Sequence, residues 1–273
     1  MRIIYDAYGQ MCNRLWEYID QVAWGMKYGK KVISLFWDPS LKDFHNLRNN
    51  PYIKFPLYIH ALQGGKWGDL YARILFKLLH NNHIQHLFAS SFFKRMGFIS
   101  GEQILFSDNY YPEMWPQEKV FFSPNSQIVE KIDAAFDSYR QGHQHRIVGV
   151  HMRKGDYKEY HNGFFYYEDE EYAQFMDQII AMFGDDTQFF FASNERINKD
   201  HFQRFNILDI QSRSAVEDMY SLSKCDLIMG PYSSFSTWAS FYGQVPYYCF
   251  KRNGQIRRSD FVIIKKMARP TIS

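Results

Sequence analysis

Short apolar runs alternate along the chain with segments whose apolar residues have a helical spacing. Runs rich in β-branched and aromatic residues predict strands at Arg2–Tyr5, Lys31–Trp37, Ile147–Met152, Gln188–Ala192, Ile207–Ile210, Asp226–Met229 and Val245–Phe250. Apolar residues three and four positions apart predict helices over Asn13–Tyr28, Asp69–His80, Ser126–Tyr139, Tyr172–Phe183, Glu217–Ser223 and Phe235–Tyr242. The order strand, turn, helix, strand predicts parallel pairing and therefore an α/β fold.

The clearest strand, Ile147–Met152, follows directly on a helix and a polar linker formed by residues 141–145. A polar linker between two elements of this kind is a typical domain boundary. We therefore predict an N-terminal domain of residues 1–140 and a C-terminal domain of residues 141–273. Both halves repeat the same plan of strand, polar turn and helix.

Residues 38–122 follow a weaker pattern, in which a polar break, Asn81–His86, comes after the helix Asp69–His80. His83 and His86 are three positions apart, and no third metal ligand can be placed beside them. They are therefore predicted to be loop histidines, and no metal site is predicted.

The composition predicts a large hydrophobic core and argues against non-specific nucleic-acid binding. Of the 273 residues, 46% are hydrophobic and 19% aromatic, and the aromatics suit both a core and flat walls for sugars. The net charge is only +3, with no block of like charges. Non-specific nucleic-acid binding needs a basic face that neutralises many phosphates, so the charge argues against it.

Cysteine usage and the first residues bear on the compartment. Cys12, Cys225 and Cys249 are far apart and odd in number, which fits neither a disulfide framework nor a C-x-x-C metal site. The opening M-R-I-I-Y-D-A-Y-G-Q is too polar for a signal peptide, and no run approaches the roughly 20 apolar residues of a membrane span. We expect a soluble cytoplasmic protein, and contact with the inner face of a membrane stays open.

The first candidate site follows the strand Ile147–Met152, which ends in Arg153, Lys154, Gly155 and Asp156. In open α/β sheets, ligands bind beyond the carboxyl ends of the strands. Arginine matches phosphate oxygens with a fixed fork of donors, lysine adds a point charge, and glycine permits a close backbone approach. These residues predict a phosphate-bearing ligand. The alternative is a polar turn with a surface ion pair.

Two further turns precede helices and could present backbone N–H groups to an anion. The first is G-Q-M-C-N-R-L at 9–15, which contains Asn13 and Arg14, although Asn13 could instead be an ordinary helix cap. The second is G-P-Y-S-S-F-S at 230–236, where Ser233 and Ser234 supply hydroxyls before a helix that starts near Phe235.

Three segments stand in an order that is typical of a known family: H-M-R-K-G-D at 151–156, F-F-F-A-S-N at 189–194, and the stretch from Asp218 to Ser236. Together they resemble the superfamily of α1,2-, α1,6- and protein O-fucosyltransferases, whose first motif is H-x-R-R-x-D. The likeness is strongest to the bacterial α1,2-fucosyltransferases of glycosyltransferase family 11, which carry H-I-R-R-G-D-Y and a strand ending in S-S-F-S. The opening G-Q-M-C-N-R-L-W-E-Y also resembles that family's glycine-rich start.

The resemblance implies the GT-B fold, with two facing Rossmann-like domains of parallel sheets flanked by helices. The N-terminal domain would face the acceptor, and the C-terminal one would hold GDP-fucose. It also implies an inverting glycosyltransferase that needs no metal or other cofactor and transfers fucose to a hydroxyl of an oligosaccharide or glycan acceptor in an α1,2 linkage. Two alternatives stay open: the same fold with another nucleotide sugar, and a non-catalytic glycan- or nucleotide-binding protein.

The resemblance also assigns donor-binding residues. Arg153 matches the arginine that holds the donor's β-phosphate, Asp218 an acidic position that reads the guanine edge, and Ser234 a serine near the phosphates. His151 and Asp156 match positions that shape the nucleotide pocket. The full donor-binding prediction comprises Asn13, Arg14, His151, Arg153, Lys154, Asn194, Asp218, Ser233, Ser234 and Phe235. Lys154 stands where the family has a second arginine, and the turn at 9–13 lacks the family's second glycine.

Catalysis of such a transfer needs positive charge at the departing β-phosphate and a base at the acceptor hydroxyl. Arg153 is the predicted source of positive charge. Glu159 and His161 are the candidate bases, with Asp156 behind them, and the alternative is that they are plain loop residues.

Overall fold

The structure is a computed structural model that describes residues 1–58, 65–107, 111–141, 145–211, 214–252 and 254–270. Most of the linker predicted between the domains, residues 142–144, lies outside these ranges. The chain divides into two units, Met1–Asn125 and Ser126–Ser273. Each unit has its own parallel sheet and flanking helices, which confirms the predicted α/β fold.

The first unit is built on a parallel sheet in the order β3-β2-β1-β4. Its strands are β1 (Arg2–Ile4), β2 (Val32–Ser34), β3 (Ile53–Lys54) and β4 (Phe98–Ile99). Its helices are α1 (Met11–Tyr28), α2 (His45–Arg48), α3 (Lys66–Leu79), α4 (Asn82–Phe88), α5 (Ser91–Arg95), α6 (Gly101–Leu105) and α7 (Trp115–Glu118). Helix α1 buries Leu15 and Val22 beside Ile4 and Val32 of the sheet. It ends at Gly29, whose φ of 59° is a left-handed conformation that glycine adopts without strain.

The segment with the weak sequence pattern contains strands β3 and β4 and the 14-residue helix α3, and its other elements are short helices and 3₁₀ turns. The predicted polar break Asn81–His86 is wrong, because these residues begin helix α4. The carboxamide oxygen of Asn81 accepts a hydrogen bond of 2.9 Å from the His83 N–H and so caps this helix. His83 and His86 are therefore helical residues rather than loop residues.

The second unit contains a parallel sheet in the order β7-β6-β5-β8-β9. Its strands are β5 (Ile147–Met152), β6 (Gln188–Ser193), β7 (Asn206–Ile207), β8 (Leu227–Gly230) and β9 (Tyr247–Cys249). Its helices are α8 (Ser126–Arg140), α9 (Asp169–Phe183), α10 (Ala215–Leu222) and α11 (Ser234–Gly243). Every residue of β5 is buried, as predicted for a central strand with covered faces.

Some observed element boundaries differ from the predicted ones, because helix capping and strand pairing decide them. Helix α9 begins three residues before the predicted Tyr172, because Glu168 and Glu171 form a capping box in which a Glu171 oxygen accepts a 2.8 Å hydrogen bond from the Glu168 N–H. The predicted strand Ile207–Ile210 is shorter and earlier, since only Asn206 and Ile207 pair with β6.

Helix α8 packs within the second unit. Its Phe136 ring lies 6.5 Å from that of Phe190 in β6, and Lys131 forms a 2.6 Å ion pair with Glu217 of α10. The predicted boundary after residue 140 follows this helix, whereas the two units divide before it. Among the residues that the structure describes, no helix is both long and apolar enough to cross a membrane.

Candidate functional site

Arg153 leaves the end of β5 with its guanidinium beside a carboxylate. One of its terminal nitrogens donates a 2.8 Å hydrogen bond to Asp156, and the group lies 5.1 Å above the Tyr157 ring. The Asp156 side chain is 53% exposed and that of Arg153 is 16% exposed. Between them, Gly155 has a φ of +56°, a left-handed conformation that glycine adopts without strain. The ion pair that the sequence left as an alternative is present, and it lies at the edge where ligands bind.

Lys154 points away from Arg153. Its ammonium lies 2.7 Å from Asp169 and donates a 2.7 Å hydrogen bond to the Tyr167 carbonyl. It also lies 5.2 Å from the centre of the Tyr172 ring, and the whole residue is buried. Its contacts are therefore those of an internal lysine that ties β5 to the start of α9.

His151 connects β5 to α11. Its Nδ1 lies 2.7 Å from the Ser236 hydroxyl, and its ring stacks on Phe235 with a centroid distance of 4.8 Å. Burial, aided by the positive charge of Arg153, lowers the pKa of His151 to about 3, so the imidazole is neutral at physiological pH. His151 and Phe235, which were both predicted to bind the donor, are thus in direct contact with each other.

The start of α11 lies next to the loop that carries Arg153. Ser233 is the N-cap of this helix, because its hydroxyl accepts a 3.2 Å hydrogen bond from the Phe235 N–H. The Tyr157 hydroxyl donates a 3.0 Å hydrogen bond to the Tyr232 carbonyl, which joins the two loops. Two anion-binding candidates that were independent in the sequence, at 153 and at 233–234, therefore belong to one edge of the sheet. Sequence reasoning missed Tyr157, which adjoins the motif H-M-R-K-G-D.

Asn194 leaves the end of β6 and bonds to the loop beside it. Its side-chain oxygen accepts a 2.9 Å hydrogen bond from the Lys154 N–H, and its nitrogen lies 3.5 Å from the Lys154 carbonyl. The predicted role of Asn194 in donor binding stays a prediction, since the observed role of its amide is to join the ends of β5 and β6.

A cleft of about 700 Å³ opens beyond β6 and has Asp218 on one side. It is lined by Phe191, Ser193, Glu195, Arg196, Ile197, Asn198, Asp200, Ile210 and Asp218. This volume lies within the range of roughly 300–1,000 Å³ that is usual for small-molecule sites. Sequence reasoning did not assign Glu195 and Arg196 to a site, although their position directly after the buried strand β6 was the signal that could have done so.

The candidate bases lie in an exposed loop with an unusual backbone. Glu159 and His161 are both exposed. His161 has a φ of 47° and Asn162 a φ of 55°, so two consecutive non-glycine residues are left-handed. The His161 ring contacts Tyr160 at a centroid distance of 4.4 Å.

Asn13 and Arg14 belong to the first unit. Helix α1 begins at Met11 with Gln10 in the cap position, so the alternative that Asn13 is the N-cap is wrong. Arg14 is 3% exposed, and its Nε donates a 3.1 Å hydrogen bond to the Tyr8 carbonyl. Their predicted contact with the donor stays a prediction. In the described ranges, no group of three or more His, Cys, Asp or Glu is arranged to hold a metal ion.

No protein-family model and no curated protein matches the sequence. The fold is similar to that of the fucosyltransferase NodZ from Bradyrhizobium, with 17% identity and a TM-score of 0.52 over 92% of this chain and 96% of that chain. For NodZ alpha-1,6-fucosyltransferase co-crystallised with GDP, the identity is 16% and the TM-score 0.51, over 91% of this chain and 94% of that chain. For POFUT1 in complex with GDP-fucose, the identity is 9% and the TM-score 0.52, over 88% of this chain and 93% of that chain.

Proposed function

We propose that this chain is a fucosyltransferase that transfers fucose from GDP-fucose to a hydroxyl of a glycan acceptor. The observation that carries the proposal is the position of Arg153, which leaves the central strand beside the N-terminus of α11. The similar folds of proteins crystallised with GDP and with GDP-fucose support it. The GT-B arrangement, inversion at the anomeric carbon, an α1,2 linkage and independence of metal ions are further parts of the proposal.

Arg153 and the start of α11 are the proposed diphosphate site. A guanidinium offers two parallel donors to a phosphate, and the first N–H groups of a ten-residue helix add positive potential. His151, whose ring stacks on Phe235, is neutral and adds no charge of its own beside this site.

The cleft beside Asp218 is the proposed guanosine site. Guanine presents N–H donors on its Watson–Crick edge, and a carboxylate is an acceptor that can take two of them. A uracil ring lacks that pair of donors. Asp218 on the wall of the cleft therefore supports a preference for GDP over UDP.

The transfer would pass through an oxocarbenium-like state in which negative charge grows on the β-phosphate. Donors aimed at that charge stabilise the transition state more than the ground state, and loss of one such group costs about 10²–10³ in rate. Arg153 would hold that charge. Glu159, His161 or Asp156 would accept the proton of the acceptor hydroxyl, and all three are exposed.

Titration calorimetry in EDTA with GDP and with UDP tests the donor site. We expect micromolar binding of GDP, weaker binding of UDP, and a loss of at least about tenfold for GDP in Arg153→Ala. The matched control is Arg204→Ala, which removes an exposed arginine that is paired with Asp177 at 2.7 Å. Equal loss in both variants, or no GDP binding by the wild type, contradicts the proposal. Binding of GDP without release of fucose from GDP-fucose would favour a non-catalytic binding protein.

A further inference from the structure

Helix α3 touches the first unit along one narrow side. Gly68 is its one buried residue, and Ala72, Leu75 and Leu79 are partly buried at spacings of four and three residues. These positions fall on one stripe of the helix. Phe76 also contacts this unit, because its ring lies 5.6 Å from that of the buried Phe36. The remaining residues of α3 face outward, although the helix is rich in apolar residues.

A second stripe of α3, next to the packed one, is apolar and exposed. Trp67 is 83% exposed, Ile74 54% and Leu78 58%, while Leu70 and Tyr71 are 47% and 40% exposed. Positions 67, 71, 74 and 78 are separated by four, three and four residues, so they share one helical face. We name Trp67, Leu70, Tyr71, Ile74 and Leu78 the α3 apolar stripe. A contiguous group of this size is unusual on a free surface.

The edge of the α3 apolar stripe is basic. Lys66, Arg73 and Lys77 are exposed and project on the side opposite the packed stripe. The one acidic residue of the helix is Asp69. An apolar face with a tryptophan and a lysine- and arginine-bearing edge is the pattern of helices that lie in the surface of an anionic bilayer.

We propose that α3 attaches this protein to an anionic phospholipid surface, with the α3 apolar stripe among the headgroups. The helix has 14 residues, which at 1.5 Å each give about 21 Å, too short to span a hydrocarbon core of about 30 Å. It would therefore lie in the plane of the surface, where a tryptophan is well placed. This attachment goes beyond the proposed transfer and does not rest on it.

Charge favours a lipid surface over a second copy of the chain as the partner. A two-fold interface places the same patch of both copies together, so a second copy would add like charge and offer no anionic partner to either basic edge. Anionic headgroups instead supply the negative charge that neutralises the exposed Lys66, Arg73 and Lys77.

The test is flotation of the purified full chain with two kinds of vesicles, pure phosphatidylcholine and phosphatidylcholine with about 30% phosphatidylglycerol. We expect binding to the anionic vesicles that weakens at least about tenfold in 0.5 M salt. The double variant Ile74→Ser/Leu78→Ser should lose at least about tenfold in affinity. Its matched control is Val120→Ser, which removes an apolar side chain that is 57% exposed elsewhere in the same unit.

Charge reversal and quenching complete the test. Arg73→Glu/Lys77→Glu should abolish the preference for anionic vesicles, while Lys30→Glu/Lys31→Glu, which alters two exposed lysines beyond α1, should keep it.

Brominated lipids should quench the fluorescence of the wild type, and the quenching should largely disappear in Trp67→Phe. Vesicle binding that is absent, or unchanged in the α3 variants, contradicts the proposal. So does a dimer that dissociates in Ile74→Ser/Leu78→Ser without any lipid binding.

Discussion

The Lys154 ammonium lies 2.7 Å from a carboxylate oxygen of Asp169, and both side chains are largely buried. The neighbouring Arg153 instead pairs with the exposed Asp156. Two adjacent cations of one motif thus have different environments. Lys154 links the end of β5 to the first residue of α9, and Arg153 is left at the candidate phosphate site.

Lys154→Ala should lower the free energy of unfolding by about 3 kcal/mol, because the buried carboxylate of Asp169 loses its partner. Arg153→Ala should leave stability within about 1 kcal/mol of the wild type. Urea unfolding measures both, with the exposed neighbour Lys158→Ala as a control. A Lys154→Ala protein of full stability that binds GDP poorly would instead favour the direct donor contact expected from the sequence.

Asp218→Ala should remove the preference for guanine. A site that hydrogen-bonds a polar edge loses much of its affinity when its acceptor is removed, so we expect GDP binding to fall by at least about tenfold. UDP binding should stay the same. Calorimetry with both nucleotides gives the ratio, and Asp200→Ala, at another point of the cleft, is the control. A parallel loss for GDP and UDP would mean that Asp218 supports the cleft rather than reads the base.

Glu118 should make the protein less stable as the pH rises. The carboxyl is 2% exposed, and burial, with smaller effects from Asp20 and Glu113, raises its pKa from 4.5 to about 8. The folded state therefore favours the protonated form, and stability is lost as the pH rises from about 4.5 through 8. The loss is at most about 1.4 kcal/mol per pH unit for one group.

Glu118→Gln keeps the shape of the side chain without the charge. Its stability relative to the wild type should increase steadily between pH 5 and pH 8 in urea unfolding, because only the wild type has to bury a carboxylate. Glu130→Gln, on an exposed face of α8, should show no such trend. A difference that is constant with pH would mean that Glu118 is already ionised in the folded state at pH 5.

Substitutions at the left-handed residues His161 and Asn162 should distinguish a role in stability from a role in activity. A left-handed conformation costs a non-glycine residue roughly 1–2 kcal/mol, and asparagine tolerates it better than histidine. His161→Gly should therefore raise the free energy of unfolding by about 1 kcal/mol. If His161 is the base, turnover of GDP-fucose should fall by about 10²–10⁴.

Asn162→Gly is the matched control, since it relieves the adjacent residue and leaves the imidazole in place. We expect turnover close to that of the wild type and a smaller gain in stability. A His161→Gly enzyme that is more stable and fully active would assign His161 to the loop and leave Glu159 and Asp156 as the candidate bases.

The elements with a strong apolar period were predictable from the sequence. β5 has the predicted bounds Ile147–Met152, and α1 ends at the predicted Tyr28. Residues 38–122 were hard to read because, apart from the predicted α3, their helices are only one or two turns long, so local caps such as Asn81 decide them. Apolar residues of α3 also remain exposed, which breaks the rule that links apolar spacing to burial.

The candidate site was predictable in its position but not in its contacts. Arg153 and Ser233 follow buried strands, and parallel strands bring such ends together. The inward turn of Lys154 depends on Asp169 and on the Tyr167 carbonyl, which are more than ten residues away. Such a long-range contact cannot be predicted from the local sequence pattern.

The bond from Asn194 to Lys154 also bears on how Arg153 meets an anion. Met152 and Ser193 are the last paired residues of β5 and β6. The hydrogen bond that the Asn194 carboxamide accepts from the Lys154 N–H adds one more link between the two strands, beyond this last pair. The Arg153 main chain lies between Met152 and Lys154, which are both bonded to β6 or its exit. Its own N–H donates a 3.2 Å hydrogen bond to the Tyr172 hydroxyl. Little backbone entropy is left to lose there when the proposed diphosphate binds, so the main chain that carries the Arg153 side chain is positioned in advance.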